Sequence, residues 1–280
     1  GAGDWLVDFE DGDGIKAWKR KTLRFEGRDA APAPHPPRSG ATRATAIPAA
    51  ADDDSSADEA GSKFHGIKFV NAAIENRAVA ILTDQEGFDF AKKLLKNIEI
   101  PIVVAEDPRI LLSKTVARYF EVQPSTMTAV TGTNGKTSVA NFTRQIWECL
   151  GKKAVNIGTA GVEGAVSMSL SHTTPEPTIL HKILHEIGSG GVTHASMEAS
   201  SHGLEQRRLD GVYLTAAAFT NFTHDHLDYH ETFEAYFNSK LGLFERVLSP
   251  EGSVVINMDD PKGTHIYKIS KLRGQDIITV

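Results

Sequence analysis

Hydrophobic and polar positions change rhythm along this chain. From Phe64 onward, short apolar runs bounded by turn residues alternate with longer stretches of mixed periodicity. The short runs read as buried strands and the longer stretches as helices. Phe69–Ile74 suits a short helix, Ala78–Leu82 a strand, Phe88–Asn97 a helix and Ile102–Val104 a strand. Asp107-Pro108 opens a helix through Phe120, with proline early in the first turn. Val122-Gln123-Pro124-Ser125 forms a natural hinge. Beyond it the apolar run around Met127–Val130 is a strand, followed by a helix to about Leu150. Further strands are expected at Ala154–Ile157, Val192–Met197, Ala216–Thr220, Ser253–Ile256 and Ile277–Val280, with helices at Thr178–Ile187 and Thr232–Leu248. Strands separated by helical segments imply an α/β fold with a doubly wound, mainly parallel sheet, whose ligands sit at the carboxyl ends of the strands.

The first part of the chain has no such rhythm. Asp4–Phe9 suits a short strand, but Ala30–Arg38 is proline-rich and Ala49–Ala60 is a run of Ala, Asp and Ser. Such stretches bury too little apolar surface to offset chain entropy, so about Asp29–Gly61 is expected to be linker-like or disordered. Asp52-Asp53-Asp54 reads as a solvated acidic tract rather than a metal site. The organisation that follows is an atypical segment over residues 1–61, a small α/β unit over 62–121 and a larger α/β unit over 122–280.

Composition narrows the function classes. A hydrophobic content of 40% is enough for a sizeable core. A net charge of −6, from 30 basic and 36 acidic residues, argues against general affinity for nucleic acid or anionic membranes. No long apolar span or signal-peptide core is present in the sequence, which points to a cytoplasmic protein without membrane insertion. The single cysteine, Cys149, excludes an internal disulfide and a Cys-rich zinc site, and its place in the helix suggests a small core residue.

The strongest chemical signal is Thr131-Gly132-Thr133-Asn134-Gly135-Lys136-Thr137-Ser138, set between a strand and a helix. The two glycines let the backbone close tightly and aim successive N–H groups into one hollow, where the helix dipole adds positive potential for a phosphate. Lys136 can reach the β- and γ-phosphates of a nucleotide, and the Thr137 hydroxyl can bind Mg²⁺. The generic G-x-x-x-x-G-K-[ST] pattern asks for glycine where this chain has Val130. The competing reading is a glycine turn with a solvated lysine.

Four later stretches carry further candidates. Glu198 ends an apolar strand within Met197–Leu204, as a second Mg²⁺ ligand would; alternatively it is a helix N-terminal carboxylate and His202 a surface residue. Phe219–His230 holds several histidines and aspartates, suited to zinc, to a general base or to a hydrogen-bonded loop. Lys240 sits among aromatic and aliphatic neighbours, either snorkelling to solvent or partly buried with a lowered pKa. His172-Thr173-Thr174-Pro175-Glu176-Pro177 either caps the next helix or offers hydroxyls to a polar substrate.

Taken together, Thr131–Thr137, Thr173-Thr174-Pro175, Glu198–Leu204, Thr220-Asn221 through His226–His230 and the Lys240 segment resemble the Mur ligases, in the branch of the UDP-N-acetylmuramoyl-tripeptide synthetases. The resemblance covers about Phe64 to Pro261 and accounts for Val130, because that family's phosphate loop reads T-G-T-N-G-K-T. It implies an ATP- and Mg²⁺-dependent ligase of peptidoglycan synthesis, acting through an acyl phosphate on UDP-MurNAc-L-Ala-D-Glu and a diamino acid. Thr131–Ser138 would bind ATP; Lys136, Glu198, His226 and Lys240 would be catalytic. Thr137, Glu198, His226 and Lys240, the last as a carbamate, would hold Mg²⁺. Thr173, Thr174, Ser200, Gln206 and Arg208 match substrate-contacting positions, with His172 standing where the branch more often has asparagine.

The same resemblance sets expectations about extent. The family's uridine pocket has no counterpart in residues 1–61, which are expected to be non-native, as from a shifted reading frame, and its carboxy-terminal domain is absent. Nucleotide binding should then be weak and ligation absent in this polypeptide alone, which is expected to be a monomer. No pocket is present to choose between meso-diaminopimelate and lysine, and meso-diaminopimelate is taken as the expectation. A folylpolyglutamate- or cyanophycin-type ligase and a non-catalytic nucleotide-binding remnant are the alternatives. Thr173-Thr174-Pro175 and Ser200–Arg208 favour the muramyl substrate over the other ligases.

Overall fold

A computed structural model describes residues 2–3, 25–26, 65–76, 78–95, 100–223, 230 and 232–280. The expected strand at Asp4–Phe9, the linker over 29–61 and most of the His/Asp-rich stretch, His226 included, lie outside the described residues. The chain forms two compact units, Gly1–Leu112 and Ser113–Val280. The division falls inside a helix. Its physical basis is Ser113, whose hydroxyl donates to Arg208 O (3.3 Å) and accepts from Gly211 N (3.1 Å), tying the second part of that helix to the larger unit.

In the first unit, β1 (Ala2–Gly3) and β2 (Phe25–Glu26) pair antiparallel. A 3₁₀ turn (Gly66–Phe69) leads into α1 (Val70–Glu75), followed by β3 (Ile81–Thr83), α2 (Gln85–Leu94) and β4 (Ile102–Val104). β3 and β4 pair parallel, and Ile67, Val70, Ile81 and Ala91 form a small core beside them. α2 starts earlier than its apolar pattern indicates because Asp84 caps it, accepting from Gly87 N at 2.8 Å. His65 braces that cap. Its Nδ1 accepts from Ile67 N (3.2 Å), which leaves Nε2 to donate to Asp84 Oδ1 (3.0 Å).

α3 (Pro108–Phe120) leads into a seven-stranded sheet of order β11-β10-β9-β5-β8-β6-β7. Its members are β5 (Thr126–Thr131), β6 (Ala154–Gly158), β7 (Gly161–Gly164), β8 (His194–Glu198), β9 (Ala216–Phe219), β10 (Ser253–Ile256) and β11 (Asp276–Thr279). All pair parallel except β7, which folds back antiparallel on β6 and forms one edge. Its hairpin depends on Gly161 at φ 106°, where a Cβ would lie 2.3 Å from Met168 O. The helices are α4 (Lys136–Cys149), α5 (Pro177–Ser189), α6 (Ser201–Glu205), α7 (Phe233–Gly242) and α8 (Gly263–Arg273). A π-helical turn, Leu243–Val247, continues α7.

Every residue of β6 is buried, as a strand covered on both faces requires, and Met127, Ile157, Leu180, Leu184, Met197 and Phe244 belong to the main core. Burying one such side chain contributes about 1.5–3 kcal/mol. The first strand of this unit, β5, lies mid-sheet between β8 and β9. The chain first builds one side of the sheet and then crosses to the other, so the carboxyl ends of β5, β8 and β9 meet at the reversal, the position where such sheets bind ligands.

One expectation is corrected outside the site. Cys149 is exposed at the last residue of α4, not a core residue. α4 turns Ala140 inward and sets Trp147 against His194 (ring centroids 5.0 Å apart), whereas Phe142 and Ile146 are open at 60% and 59% exposure. Ellman's reagent is therefore expected to titrate one thiol in the native protein as fully as in urea; a thiol silent until unfolding would contradict this placement.

Candidate functional site

The loop between β5 and α4 is shaped by Gly132 (φ 146°) and by Gly135 (φ 85°), which caps α4. It is clamped from the end of β9. Thr220 Oγ1 donates to Asn134 O (2.7 Å), Asn221 Oδ1 accepts from Asn134 N (2.9 Å), and Asn221 O accepts from Thr133 N (2.8 Å). On the opposite side Thr131 Oγ1 donates to Ala199 O (2.9 Å). Lys136 folds over the loop and donates to Gly132 O (3.1 Å) and Thr133 O (2.8 Å). Asn134, Gly135, Thr137 and Ser138 are exposed along the loop and the first turn of α4, whereas Thr131, Gly132 and Thr133 are buried. The result is a fixed hollow of backbone amides with one ammonium at its lip, the chemistry that holds a polyphosphate.

Glu198 ends β8, in register with Val130, and is only 2% exposed. Its Oε2 accepts from Thr137 Oγ1 (2.9 Å) and its Oε1 from Thr159 N (2.9 Å). Glu198 is therefore a strand-end carboxylate facing the phosphate loop; α6 is capped instead by Ser200, which accepts from Gly203 N at 3.1 Å. A buried carboxylate and a hydroxyl side by side are hard oxygen donors of the kind that Mg²⁺ takes. Among the described residues no group of three or more His, Cys, Asp or Glu side chains gathers as a metal site.

Lys240 on α7 is 1% exposed, so it does not snorkel. Its Nζ donates to Gly132 O (2.9 Å) and lies 4.4 Å from the centre of the Tyr236 ring. His230 is buried, with Nδ1 3.0 Å from Glu205 Oε2.

Beyond Glu198 the threonine motif forms a second wall. Thr174 Oγ1 donates to Glu198 O (3.0 Å) and accepts from Ser200 N (3.0 Å). Arg208 donates to Thr174 O (2.7 Å) and to Gln206 Oε1 (2.9 Å), and pairs with Glu176 (2.6 Å). Thr173 Oγ1 lies 3.1 Å from Thr159 Oγ1. His172 is exposed, hydrogen-bonded to Ser171 (3.0 Å), and joins none of these contacts.

Four site residues were given no role in the reading from sequence. Thr159 was signalled only by a Gly-Thr step at a strand end, Thr220 and Asn221 were noted in a motif but given no role as the loop's clamp, and Tyr236 lies one helical turn before Lys240.

A glycine-cornered loop at the switch point of a parallel sheet, with lysine and threonine opening the helix and a carboxylate on the adjacent strand, defines a P-loop nucleotide-binding domain. The family profile described as "Mur ligase middle domain" matches residues 130–280, and the chain belongs to that family, the Mur ligases. It is 45% identical over 222 residues to the UDP-N-acetylmuramoyl-L-alanyl-D-glutamate–2,6-diaminopimelate ligase of Mesorhizobium japonicum, covering 79% of this chain and 45% of that protein. It is 47% identical over 221 residues to the protein of the same name in Chelativorans sp., covering 79% and 44%. A solved structure of a ligase of this name superposes with a TM-score of 0.65 at 32% identity, over 76% of this chain and 42% of that one. The chain thus spans under half the length of the curated relatives it matches.

Proposed function

We propose that this chain carries the ATP-binding part of a UDP-N-acetylmuramoyl-L-alanyl-D-glutamate–2,6-diaminopimelate ligase, a cytoplasmic, monomeric enzyme of peptidoglycan synthesis. The supporting observation is the contact of Thr137 with Glu198 (2.9 Å) beside the Lys136 hollow, together with the substrate named for the relatives. In this reading ATP phosphorylates the side-chain carboxylate of the D-glutamyl residue, the amine of meso-diaminopimelate attacks the acyl phosphate, and amide, ADP and phosphate result. Two anions must meet, so the site's main task is charge neutralisation. The amides of the loop hold the β-phosphate, and Lys136 turns from Gly132 O and Thr133 O onto the transferring group. Thr137 and Glu198 would hold Mg²⁺, which when bound polarises the phosphoryl oxygens. Lys240, buried beside the loop, would extend the oxygen set as a carbamate, and His226 would share a second ion; both roles come from the family resemblance. Thr173, Thr174, Ser200, Gln206 and Arg208 would face the muramyl peptide, with His172 at its margin. Among the described residues no helix is long and apolar enough to cross a membrane.

Fluorescent ATP analogues should bind this chain in a Mg²⁺-dependent manner, and Thr137→Val should weaken the Mg²⁺-dependent part by about 10- to 100-fold. Equal affinity with and without Mg²⁺ would overturn the metal assignment. For the substrate, the chain can be joined to the remaining half of the Mesorhizobium relative. ADP release is then expected only with UDP-MurNAc-L-Ala-D-Glu and meso-diaminopimelate together, and release driven by a folate and glutamate would point to the other ligases.

A further inference from the structure

We infer that Thr159 is a positioning residue that aims Glu198 at the phosphate loop and ties it to the threonines of the substrate wall. The inference rests on the nucleotide-ligase reading above. It begins at Gly158, the last residue of β6, next to β8 in the sheet. A Cβ built on Gly158 would lie 2.0 Å from Glu198 Oε1, so the carboxylate occupies the space any side chain there would need. Pressed against that backbone, Oε1 receives the Thr159 amide (2.9 Å). With one oxygen fixed, the terminal torsion of Glu198 is fixed too, and Oε2 is left facing Thr137 (2.9 Å).

The Thr159 hydroxyl adds a second connection. It lies 3.5 Å from Glu198 Oε2 and 3.1 Å from Thr173 Oγ1. A hydroxyl has one proton and donates to one partner at a time. When a cation draws the lone pairs of Oε2, the proton turns to Thr173; when Oε2 is free of a cation, the carboxylate competes for it. The state of Glu198 thereby sets which face of the Thr173 hydroxyl is offered to a substrate. Groups that orient a metal-holding carboxylate in this way commonly change metal affinity 10- to 100-fold when lost.

The test is a Mg²⁺ titration of fluorescent-ATP binding by this chain. Thr159→Val keeps the amide and the shape but loses the hydroxyl; the Mg²⁺ midpoint should rise about tenfold, with Mg²⁺-free nucleotide binding and the urea midpoint unchanged. Thr159→Ser should return the Mg²⁺ midpoint to near wild type. Gly158→Ala should shift it further by displacing the carboxylate. A Thr159→Val midpoint equal to wild type, or a Thr159→Ser variant as impaired as Thr159→Val, overturns the role of the hydroxyl while leaving the ligase reading intact. If the wild-type chain itself binds nucleotide without regard to Mg²⁺, the metal assignment and the positioning role of Thr159 both fall.

Discussion

Alanine at Gly132 is expected to abolish nucleotide binding and to lower the stability of the Ser113–Val280 unit by about 2–4 kcal/mol. Gly132 adopts φ 146°, a sparsely populated conformation that costs an L side chain about 1–3 kcal/mol. The new Cβ would lie 2.0 Å from Thr220 Oγ1 and 3.0 Å from both N and O of Asn221. Thr220 would have to abandon its hydrogen bond to Asn134 O (2.7 Å), with Thr131 O (3.3 Å) as the alternative acceptor of the same proton, at about 1 kcal/mol. The Gly132 carbonyl is also where Lys136 and Lys240 both dock, so a shifted peptide displaces both ammonium groups. Urea unfolding and fluorescent-ATP titration measure the two effects. Gly151→Ala is the control: φ there is 72°, with nothing within 4 Å of the added carbon, so about 1 kcal/mol and unchanged binding are expected. If Gly132→Ala bound nucleotide within twofold of wild type, the loop would not be the phosphate cradle.

The contrast between these glycines shows what sequence alone reveals. The strand–loop–helix from Thr126 to Cys149 is legible because its determinants are local: an apolar run, two glycines, then lysine and threonine at a helix start. The clamping of the loop after β5 by Thr220 and Asn221 is not legible, because these residues lie 86 and 87 positions from Asn134 and meet it only through strand order. The same holds for Lys240, whose contact with Gly132 spans 108 positions; the pattern left snorkelling and burial both open, and the fold decides for burial. The edge strand β7 escapes because its antiparallel turn depends on Gly161 rather than on an apolar run. Residues Gly263–Arg273 escape because Pro261 and Gly263 at the start read as a loop, although Gly274 at φ 75° closes the helix in the usual way. Cys149 shows the limit of inferring burial from residue type, since α4 packs by another face.

Acid is expected to destabilise the larger unit through His181. This side chain lies on the inner face of α5 at 4% exposure, beside Leu180, Ile183 and Leu184. Its Nε2 has no hydrogen-bond partner and presses on Gly211, where an added Cβ would lie 2.7 Å away. Burial without a partner disfavours the imidazolium and pushes the pKa down to about 4. In the unfolded chain the ring titrates near 6.5. Between pH 6.5 and 4 the unfolded state therefore binds more protons, so stability is complete above about 6.5 and falls as pH drops toward 4. The full loss is about 3 kcal/mol, with about 2 kcal/mol already gone at pH 5, a large fraction of the ~5–15 kcal/mol of an ordinary domain. Urea unfolding at pH 8 and pH 5 compares the wild type with His181→Leu. The wild type should lose about 2 kcal/mol more than the variant between the two, because carboxylates titrate alike in both and cancel in the difference. Equal losses would mean that water reaches Nε2 and that α5 opens far more readily than its packing on Leu184 and Ile187 indicates.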